Sequence, residues 1–252
     1  MKASSLERHG RDWEELAAAD PLWAILAGPD QRGGRWDTEK FFATGEQEIA
    51  ELLDSMEQVG GIEQSGRALD FGCGVGRLTR ALAGRFGEAV GVDISEEMVR
   101  LARELNEDVP GSSFVVNTKA DLSVFDDSSF DLVYTTLVLQ HLPRRELQRA
   151  YLEEFLRVLR PGGLAVFQTL ARLPLALHLQ PRRRAYSLLR AVGVSGDVLL
   201  NRLRLAPTRL LAISEADVRE TVEQAGGKVE LVEEHPRRTD GIRSLRYYVR
   251  RA

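Results

Sequence analysis

Three glycines at alternate positions mark the first stretch of this chain whose residue types could do chemistry. Residues 67–79 read RALDFGCGVGRLT, which predicts a short buried strand, a loop that contains Gly72, Gly74 and Gly76, and the start of a helix. Because glycine has no Cβ, such a loop can turn sharply and hold its backbone N–H groups against a ligand at the helix N-terminus. The pattern favours a nucleotide-like cofactor. The alternative is a tight strand-to-helix turn without a ligand.

Two acidic residues stand at informative distances from this loop. Asp70 lies two residues before the first glycine. The spacing G-C-G-V-G departs from the dinucleotide-binding pattern G-x-G-x-x-G, and an acid at the strand end repels a pyrophosphate but suits an ammonium group. Asp93 ends a second apolar run about 20 residues beyond the loop, where an acid can accept both hydroxyls of a ribose. Ile94 is then expected to lie on the face of an adenine.

These segments and two later ones resemble the class I S-adenosylmethionine-dependent methyltransferases. The matching runs are LDFGCGVG, VGVDIS, FDLVYTTLVLQHL and FLRVLRPGGLAVFQ. The similarity is greatest to the small-molecule group that includes ubiquinone and menaquinone biosynthesis methyltransferases. It covers roughly residues 65–169 and is weaker from residue 213 onward. It implies S-adenosylmethionine as the cofactor, S-adenosylhomocysteine as its product, and methyl transfer to a small-molecule acceptor.

The resemblance also implies which residues hold the cofactor. The glycine loop, including Cys73, would bind the methionine part, with Asp70 near the ammonium group and Asp93 on the ribose. Related enzymes hold the adenine after the third strand, often with Gly-Asp, whereas this chain has Asn117 and Thr118 there. The predicted contacts in this part of the site are Asn117, Thr118, Asp121 and Leu122. Thr136, at the end of the fourth strand, is also predicted to contact the cofactor.

Methyl transfer from a sulfonium requires few catalytic side chains, because the leaving group is already activated. Alignment of the two reactants can by itself contribute about 7 to 11 kcal/mol. A base matters only where the acceptor starts as a hydroxyl or an ammonium. His141, just past the fourth strand, is the predicted general base; a substrate-positioning or structural role is the alternative. Gln140 is predicted to orient the substrate or the cofactor, and His9, His178 and His235 are expected at the surface.

Residues 1–60 precede the first strand and are predicted to form a helical cap over the cofactor. One amphipathic helix is expected over residues 11–19, and a second from Asp37, as its N-cap, to residue 59. Trp36, Phe41 and Phe42 are predicted to wall a substrate pocket. The alternative is that these aromatic residues only attach the cap to the core.

The segment 171–213 differs from the rest of the chain and is predicted to be an inserted helical lid over the substrate. Eight arginines stand between residues 170 and 211 against one acid, Asp197, in a background of Leu, Val and Ala. Such a basic, amphipathic segment favours an anionic substrate, a carrier protein or a membrane surface. The alternative is a pair of helices whose arginines face water or an acidic patch of the same protein.

The predicted fold is α/β, a doubly wound Rossmann-like sheet of seven strands over residues 61–252. The first five strands are expected to be parallel, and the last two to form an antiparallel hairpin at the sheet edge. The chain has 252 residues, of which 43% are hydrophobic, so that one domain with a large core is expected.

Several other functions are disfavoured by what the sequence lacks. The net charge is −4, and the fourth strand ends in YTTL instead of the Asn/Asp-Pro-Pro-aromatic tetrapeptide that nucleic-acid amino methyltransferases carry, so no nucleic-acid partner is expected. No clustered metal ligands are evident, and no apolar run reaches the ~18 residues of a membrane span, which leads us to expect a cytoplasmic enzyme without metal. An S-adenosylmethionine-binding protein with another activity, such as a cyclase, a decarboxylase or a sensor, remains an alternative. A nicotinamide oxidoreductase is opposed by the glycine spacing and by Asp70.

Overall fold

The computed structural model describes residues 5–28, 30–62, 65–196, 198–235 and 241–252. Asp197, the acid of the basic segment, lies outside these residues. The described residues form seven strands: β1 Arg67–Phe71, β2 Glu88–Asp93, β3 Ser112–Val116, β4 Phe130–Thr135, β5 Leu159–Arg172, β6 Gly227–Glu234 and β7 Arg243–Arg251. They make one sheet in the order β3-β2-β1-β4-β5-β7-β6.

The sheet confirms the predicted fold class. Strands β1 to β5 are parallel, and β7 runs antiparallel between β5 and the edge strand β6. Leu69 of β1 pairs with Val90 of β2 on one side and with Val133 of β4 on the other. The strand order therefore reverses on either side of β1. At such a switch point, the loops that follow neighbouring strands diverge and leave a crevice at the carboxyl ends.

Nine α-helices lie within the described residues: α1 Ser5–Ala19, α2 Pro21–Ile25, α3 Thr38–Glu57, α4 Arg77–Ala83, α5 Glu96–Leu105, α6 Arg145–Val158, α7 Leu175–His178, α8 Pro181–Ala191 and α9 Glu215–Gln224. A 3₁₀ turn covers Leu139–His141, and a π-helical turn covers Val198–Arg202. Asp37 accepts a hydrogen bond from Lys40 N at 2.9 Å, as expected of an N-cap. Ser95 caps α5 in the same way.

One predicted helix boundary differs from the structure: helix α1 begins at Ser5 instead of residue 11. Helix α6 begins at Arg145, since Arg144 has an extended backbone and acts as the N-cap. Strand β5 begins at Leu159, and its pairing with β4 is irregular near its start.

Both faces of the sheet are covered by helices, which explains the continuous apolar runs of its central strands. On one face, α6 and α9 pack over a cluster that contains Phe71, Phe155 and Tyr247. On the other face, α3 and α4 cover Tyr134 and Tyr248. Helix α3, predicted as part of the cap, thus belongs to a core layer, and α1 and α2 lie nearer the crevice. Among the described residues, no helix has the length and apolarity needed to cross a bilayer.

Candidate functional site

A cavity of about 730 Å³ opens at the carboxyl ends of β1, β2 and β4. Its walls come mainly from three parts of the chain. The strand ends contribute Phe71, Gly72, Cys73, Gly74, Val92, Asp93, Ile94, Asn117, Thr136, Leu137 and Val138; the N-terminal helices and the residues before α3 contribute Leu6, His9, Trp13, Leu16, Trp23, Ile25 and Trp36; and the segment 171–213, the predicted lid, contributes Ala206, Thr208 and Leu210. The mostly apolar walls and this volume fit a small-molecule site.

The glycine loop is packed so closely that a side chain could not be added. Gly72 and Gly74 have φ angles of 77° and 54°. A Cβ on Gly72 would lie 2.4 Å from Val138, and one on Gly74 would lie 2.4 Å from Ile25 of α2. The cap therefore touches the loop directly, and any larger residue would displace one of the two.

The N–H groups of this loop are used inside the protein. Gly72 and Cys73 both donate to the carbonyl of Val92, at 2.8 and 3.1 Å. Gly74 donates to Oδ2 of Asp93 at 2.9 Å. The prediction that these N–H groups are held against a ligand is therefore wrong for this conformation, because β2 and its terminal acid already accept their hydrogen bonds.

Asp93 lies on the cavity wall with its carboxylate held at both oxygens. Oδ2 accepts from Gly74 N, and Oδ1 accepts from Ser95 N at 3.0 Å. Burial raises the pKa of Asp93, and hydrogen bonds from the backbone N–H groups of Ser95, Gly74 and Ile94 oppose that rise. A carboxylate oxygen can accept more than one hydrogen bond, so each still has capacity for a ligand hydroxyl.

Asp70 lies behind the glycine loop and not on the cavity wall. Its side chain is 1% exposed, and Oδ2 accepts a hydrogen bond from the Thr79 hydroxyl at 2.7 Å. Burial raises the pKa of Asp70 to about 7. The hydrogen bond between Asp70 and Thr79 joins β1 to α4, the two elements that flank the glycine loop.

The other residues predicted to contact the cofactor divide into two groups. Cys73, Ile94, Asn117 and Thr136 line the cavity. Gly76, Thr118, Asp121 and Leu122 do not. Gly76 packs against Asn106 and Phe114, Leu122 is fully buried in the core, and Thr118 and Asp121 face solvent. Asn117 also closes its own loop, because its Nδ2 donates to the Asp121 carbonyl at 2.6 Å.

The end of β4 carries a strained residue beside a hydroxyl that lacks a protein partner. Leu137 has a φ of 62°, and its N–H donates to Gln168 Oε1 at 2.9 Å. A non-glycine residue in this conformation costs about 1–2 kcal/mol, so β5 must hold it there. The Thr136 hydroxyl is buried and finds no acceptor or donor among the described residues. Such a group on a cavity wall is suited to a ligand.

His141 is oriented by the lid and by its neighbour in sequence. Its Nδ1 lies 2.6 Å from the Arg209 carbonyl, and its Nε2 lies 3.1 Å from Gln140 Nε2. A carbonyl only accepts, so we assign the proton to Nδ1 and the lone pair to Nε2, which then accepts from the Gln140 amide. The ring of Trp13 meets His141 edge-on, with centroids 5.7 Å apart. Both Gln140 and His141 line the cavity, as their predicted roles require.

Helix α1 supplies a part of the cavity wall whose residues were not among the predicted site residues. Leu6, His9, Trp13 and Leu16 line the cavity, and their spacing of three and four residues was a helical signal for this face. His9, expected at the surface, instead lies next to Trp13, with ring centroids 6.2 Å apart. Burial lowers the pKa of His9 to about 3, so its imidazole is neutral at pH 7.

The aromatic residues of the predicted substrate wall have two different positions. Trp36 lines the cavity. Phe41 is fully buried in a cluster with Val75 and Met98, and its ring contacts those of Trp36 and Phe42 at 5.5 and 5.6 Å. Neither Phe41 nor Phe42 reaches the cavity. For these two residues, the structure therefore supports the alternative that they attach the cap to the core.

The lid is fastened to the segment that follows β4. Leu211 N donates to the Gln140 carbonyl at 2.8 Å, and the Arg209 side chain donates to the Pro143 carbonyl at 2.6 Å. With the contact between His141 and the Arg209 carbonyl, three hydrogen bonds join the two segments. No cluster of metal-ligating side chains occurs among the residues that the structure describes.

The central segment is similar to known proteins. Residues 69–167 match the family described as a methyltransferase domain. A 2-methyl-6-phytyl-1,4-hydroquinone methyltransferase from Synechocystis is 34% identical over 120 residues, which are 46% of this chain and 36% of that protein. A ubiquinone/menaquinone biosynthesis C-methyltransferase from Hydrogenovibrio crunogenus is 36% identical over 111 residues, 42% of each chain. The chain therefore spans less than half the length of either relative.

Several solved structures resemble nearly the whole chain. Magnesium protoporphyrin IX methyltransferase from Synechocystis, solved with bound S-adenosylhomocysteine, has a TM-score of 0.63 and covers 99% of this chain and 100% of its own. The sequence identity is 18%. At that identity, the likeness shows a shared fold, including the helices before and after the central segment.

Proposed function

We propose that residues 69–167, which match a methyltransferase domain, act as a class I methyltransferase, and that this chain transfers a methyl group from S-adenosylmethionine to a hydrophobic or amphipathic small molecule. When bound, the cofactor supplies a methyl group on a positively charged sulfur. The sulfur leaves as a neutral thioether, so no acid is needed to protonate the leaving group. The observation that carries the proposal is the cavity with two unlike walls: strand ends with a fixed carboxylate on one side, and apolar helices on the other.

The strand-end wall has the residues to hold this cofactor. Asp93 would accept the ribose hydroxyls, because both of its oxygens are already aimed by backbone donors. Gly72 and Gly74 let the methionine part approach the backbone, and the unpaired Thr136 hydroxyl supplies a further polar contact. Ile94 and Asn117 would flank the adenine. Asp70 would act indirectly, through the position of the loop.

The helical wall suits a lipophilic acceptor. Leu6, Trp13, Trp23 and Leu210 present apolar surface to the cavity. Burying such side chains against an apolar ligand gains about 25 cal/mol per Å² of area removed from water. The two relatives are named for a phytyl hydroquinone and for ubiquinone and menaquinone biosynthesis, and acceptors of that kind fit this wall.

His141 is the general base in this proposal. Its Nδ1 proton is committed to the Arg209 carbonyl, which aims the basic Nε2 at the Gln140 amide. An acceptor hydroxyl that takes the place of this amide would donate its proton to Nε2. Gln140 then acts as a positioning residue, because its amide also donates to the Leu137 carbonyl at 3.2 Å. Base catalysis of this kind contributes about 10²- to 10⁴-fold.

Calorimetry and product analysis test the proposed reaction. Titration of the purified chain with S-adenosylhomocysteine should release heat, and titration with NADH should not. Incubation with methyl-labelled S-adenosylmethionine and a panel of hydroquinones, demethylated quinones and porphyrin carboxylates should then yield labelled product. Binding without any labelled product from the panel would favour a sensor or a different reaction. Binding of NADH alone would contradict the proposal.

A matched pair of variants tests His141. His141→Ala should lower kcat about 10²- to 10⁴-fold and leave the affinity for S-adenosylhomocysteine nearly unchanged. His178→Ala removes an exposed lid histidine and should retain full activity. Full turnover by His141→Ala would exclude its role as the base and leave the methyltransferase assignment intact.

A further inference from the structure

The lid exposes apolar side chains that a folded domain normally covers. Within the described residues, the large hydrophobic side chains that are exposed are Val124, Leu175, Leu179, Leu188, Val192 and Leu203. All except Val124 belong to the lid, residues 171–213. Leu175, Val192 and Leu188 are 79%, 71% and 68% exposed. Single exposed leucines are common on proteins, but this concentration in one insertion indicates an interaction surface.

Helix α8 shows how the lid separates its two sides. Tyr186 and Leu189 pack inward, in a cluster that also holds Trp13 and Leu16 of α1. Leu188 and Val192 are four residues apart and exposed, so they share the outer side of the helix. Leu175 and Leu179 have the same spacing across α7 and the residue after it. The apolar residues on the inner side of the lid are thus covered by α1, and those on its outer side are exposed to solvent.

The cations of the lid also divide into two sets. Arg190 pairs with Glu15 of α1, and the side chains of Arg183 and Arg209 donate to backbone carbonyls. The remaining five are exposed and form no ion pair with any residue that the structure describes: Arg172, Arg182, Arg184, Arg202 and Arg204. These five exposed arginines therefore have no acidic partner in the described part of the chain.

We propose that the outer side of the lid docks on an anionic lipid bilayer. The exposed leucines and valine would enter the boundary between headgroups and acyl chains, and the five unpaired arginines would contact lipid phosphates. Charge complementarity favours a bilayer as the partner. Its anionic headgroups match the arginines that have no acidic partner among the described residues, and its acyl chains match the exposed apolar residues between them. The long aliphatic part of the arginine side chain also lets the guanidinium reach the headgroups while the helix lies deeper, at the boundary with the acyl chains.

The lid connects this surface to the cavity. Its residues Ala206, Thr208 and Leu210 form one wall of the cavity, while Leu203 is exposed only three residues before Ala206. Docking would place the cavity beside the lipid phase, where a lipophilic acceptor is concentrated. This last step rests on the proposed function; the docking itself does not.

Vesicle co-sedimentation of the purified chain tests the docking without any acceptor. The chain should sediment with vesicles of phosphatidylcholine mixed with phosphatidylglycerol, and much less with phosphatidylcholine alone. Added salt should weaken binding, because exposed charges are screened. Equal binding to both kinds of vesicle, or binding to neither, would overturn the proposal.

Substitutions with matched controls assign the surface. The double variant Leu188→Ser with Val192→Ser should lose most of the vesicle binding, whereas Val124→Ser, an exposed apolar residue outside the lid, should bind like the unaltered chain. Arg184→Gln and Arg202→Gln should each weaken binding roughly fivefold, and the exposed Arg85→Gln should not. Circular dichroism and S-adenosylhomocysteine titration of each variant verify that the fold is kept.

Other occupants of the surface give different results. If the lid joins two copies of this chain, size-exclusion chromatography will show a dimer that Leu188→Ser dissociates. If it binds an acidic carrier protein instead, the same lid variants will leave vesicle binding unchanged. Either result contradicts docking on a bilayer. A chain that binds anionic vesicles but not S-adenosylhomocysteine would keep this inference and refute the proposed function.

Discussion

The two walls of the cavity are built in different ways. The strand-end wall is held by backbone hydrogen bonds: Gly72 to Val92, Gly74 to Asp93, and Leu137 to Gln168. The helical wall is held by side-chain packing and by partly exposed polar contacts, such as the pair of Glu15 and Arg190. The first wall therefore has one geometry before any ligand arrives. The second can adapt to the shape of an acceptor at small cost.

The two walls meet at one close contact, which gives the largest expected effect. Gly74→Ala should destabilise the chain by about 2–4 kcal/mol, from the strain of an alanine at φ 54° and its clash with Ile25. Urea unfolding measures this. In a chain that already carries Ile25→Ala, Gly74→Ala should cost less unfolding free energy than in the unaltered chain, because the clash with Ile25 is removed. Strict additivity of the two substitutions would show that the cap does not press on the loop.

The next largest effect concerns the strand-end wall alone. Asp93→Ala should weaken S-adenosylhomocysteine binding by roughly one to two orders of magnitude, because it removes a charged acceptor and frees Gly74 N. Calorimetry measures the change in Kd. Asp108→Asn, which changes an exposed acid near α5, is the matched control and should bind normally. Unchanged affinity in Asp93→Ala would contradict the proposed ribose contact.

Asp70, behind the glycine loop, and His9, on the helical wall, should give the stability opposite dependences on pH. The pKa of Asp70 is raised to about 7, so the folded state still holds a proton that the unfolded state releases near pH 4. The free energy of unfolding therefore decreases as the pH rises from about 4 through about 7. The pKa of His9 is lowered to about 3, so the unfolded state binds the extra proton; stability is lost as pH falls from about 6.5 towards 3. Each slope is at most about 1.4 kcal/mol per pH unit.

Two substitutions separate these contributions in urea unfolding at a series of pH values. Asp70→Asn should flatten the loss of stability between pH 4 and about 7, because the amide resembles the protonated acid. His9→Gln should flatten the loss below pH 6.5. The exposed His178→Gln is the control for the second. If the free energy of unfolding of His9→Gln and of the unaltered chain falls equally steeply below pH 6.5, His9 is charged in the folded state and does not lie in an apolar wall.

The smallest effect on stability is expected at Thr136. Thr136→Val should change the free energy of unfolding by about 0.5 kcal/mol or less, because its hydroxyl has no hydrogen-bond partner to lose among the described residues. It should nevertheless weaken S-adenosylhomocysteine binding about 2- to 10-fold. Thr135→Val is a close match: its hydroxyl is equally buried and unpaired, but the residue does not line the cavity, so its variant should bind normally. Equal effects from both would remove Thr136 from the proposed site.

Much of the strand-end wall could be predicted because its signals are local. The glycines and Asp93 follow apolar runs within one strand-loop-helix unit, and parallel strands bring their carboxyl ends to the same sheet edge. The position of Asp70 could not be read in this way. Successive residues of a strand face opposite sides of the sheet, and here Asp70 faces α4 while Phe71 faces α6. Sequence spacing alone does not state which of these residues lies on the side of the cofactor.

The helical wall could not be predicted in the same way, although part of its pattern was present. An amphipathic helix such as α1 has an apolar face, but periodicity does not reveal what that face covers. His9 was expected at the surface for that reason, and Phe41 at the cavity; packing against Trp13 and against Met98 gives each the opposite position. The Gln168 contact that holds Leu137 joins β5 to the end of β4 and has no local signal.

The sequence by itself therefore determined the succession of strands and helices in the core, the glycine loop and the acid that ends β2, because strand and turn preferences act over a few neighbouring residues. Only the tertiary structure decided which helices close the cavity, which tautomer His141 adopts, and which side of the lid stays uncovered. Those outcomes depend on contacts between residues far apart in the chain, such as His141 with the Arg209 carbonyl. Contacts of that range are fixed by packing of the whole domain and not by local preference.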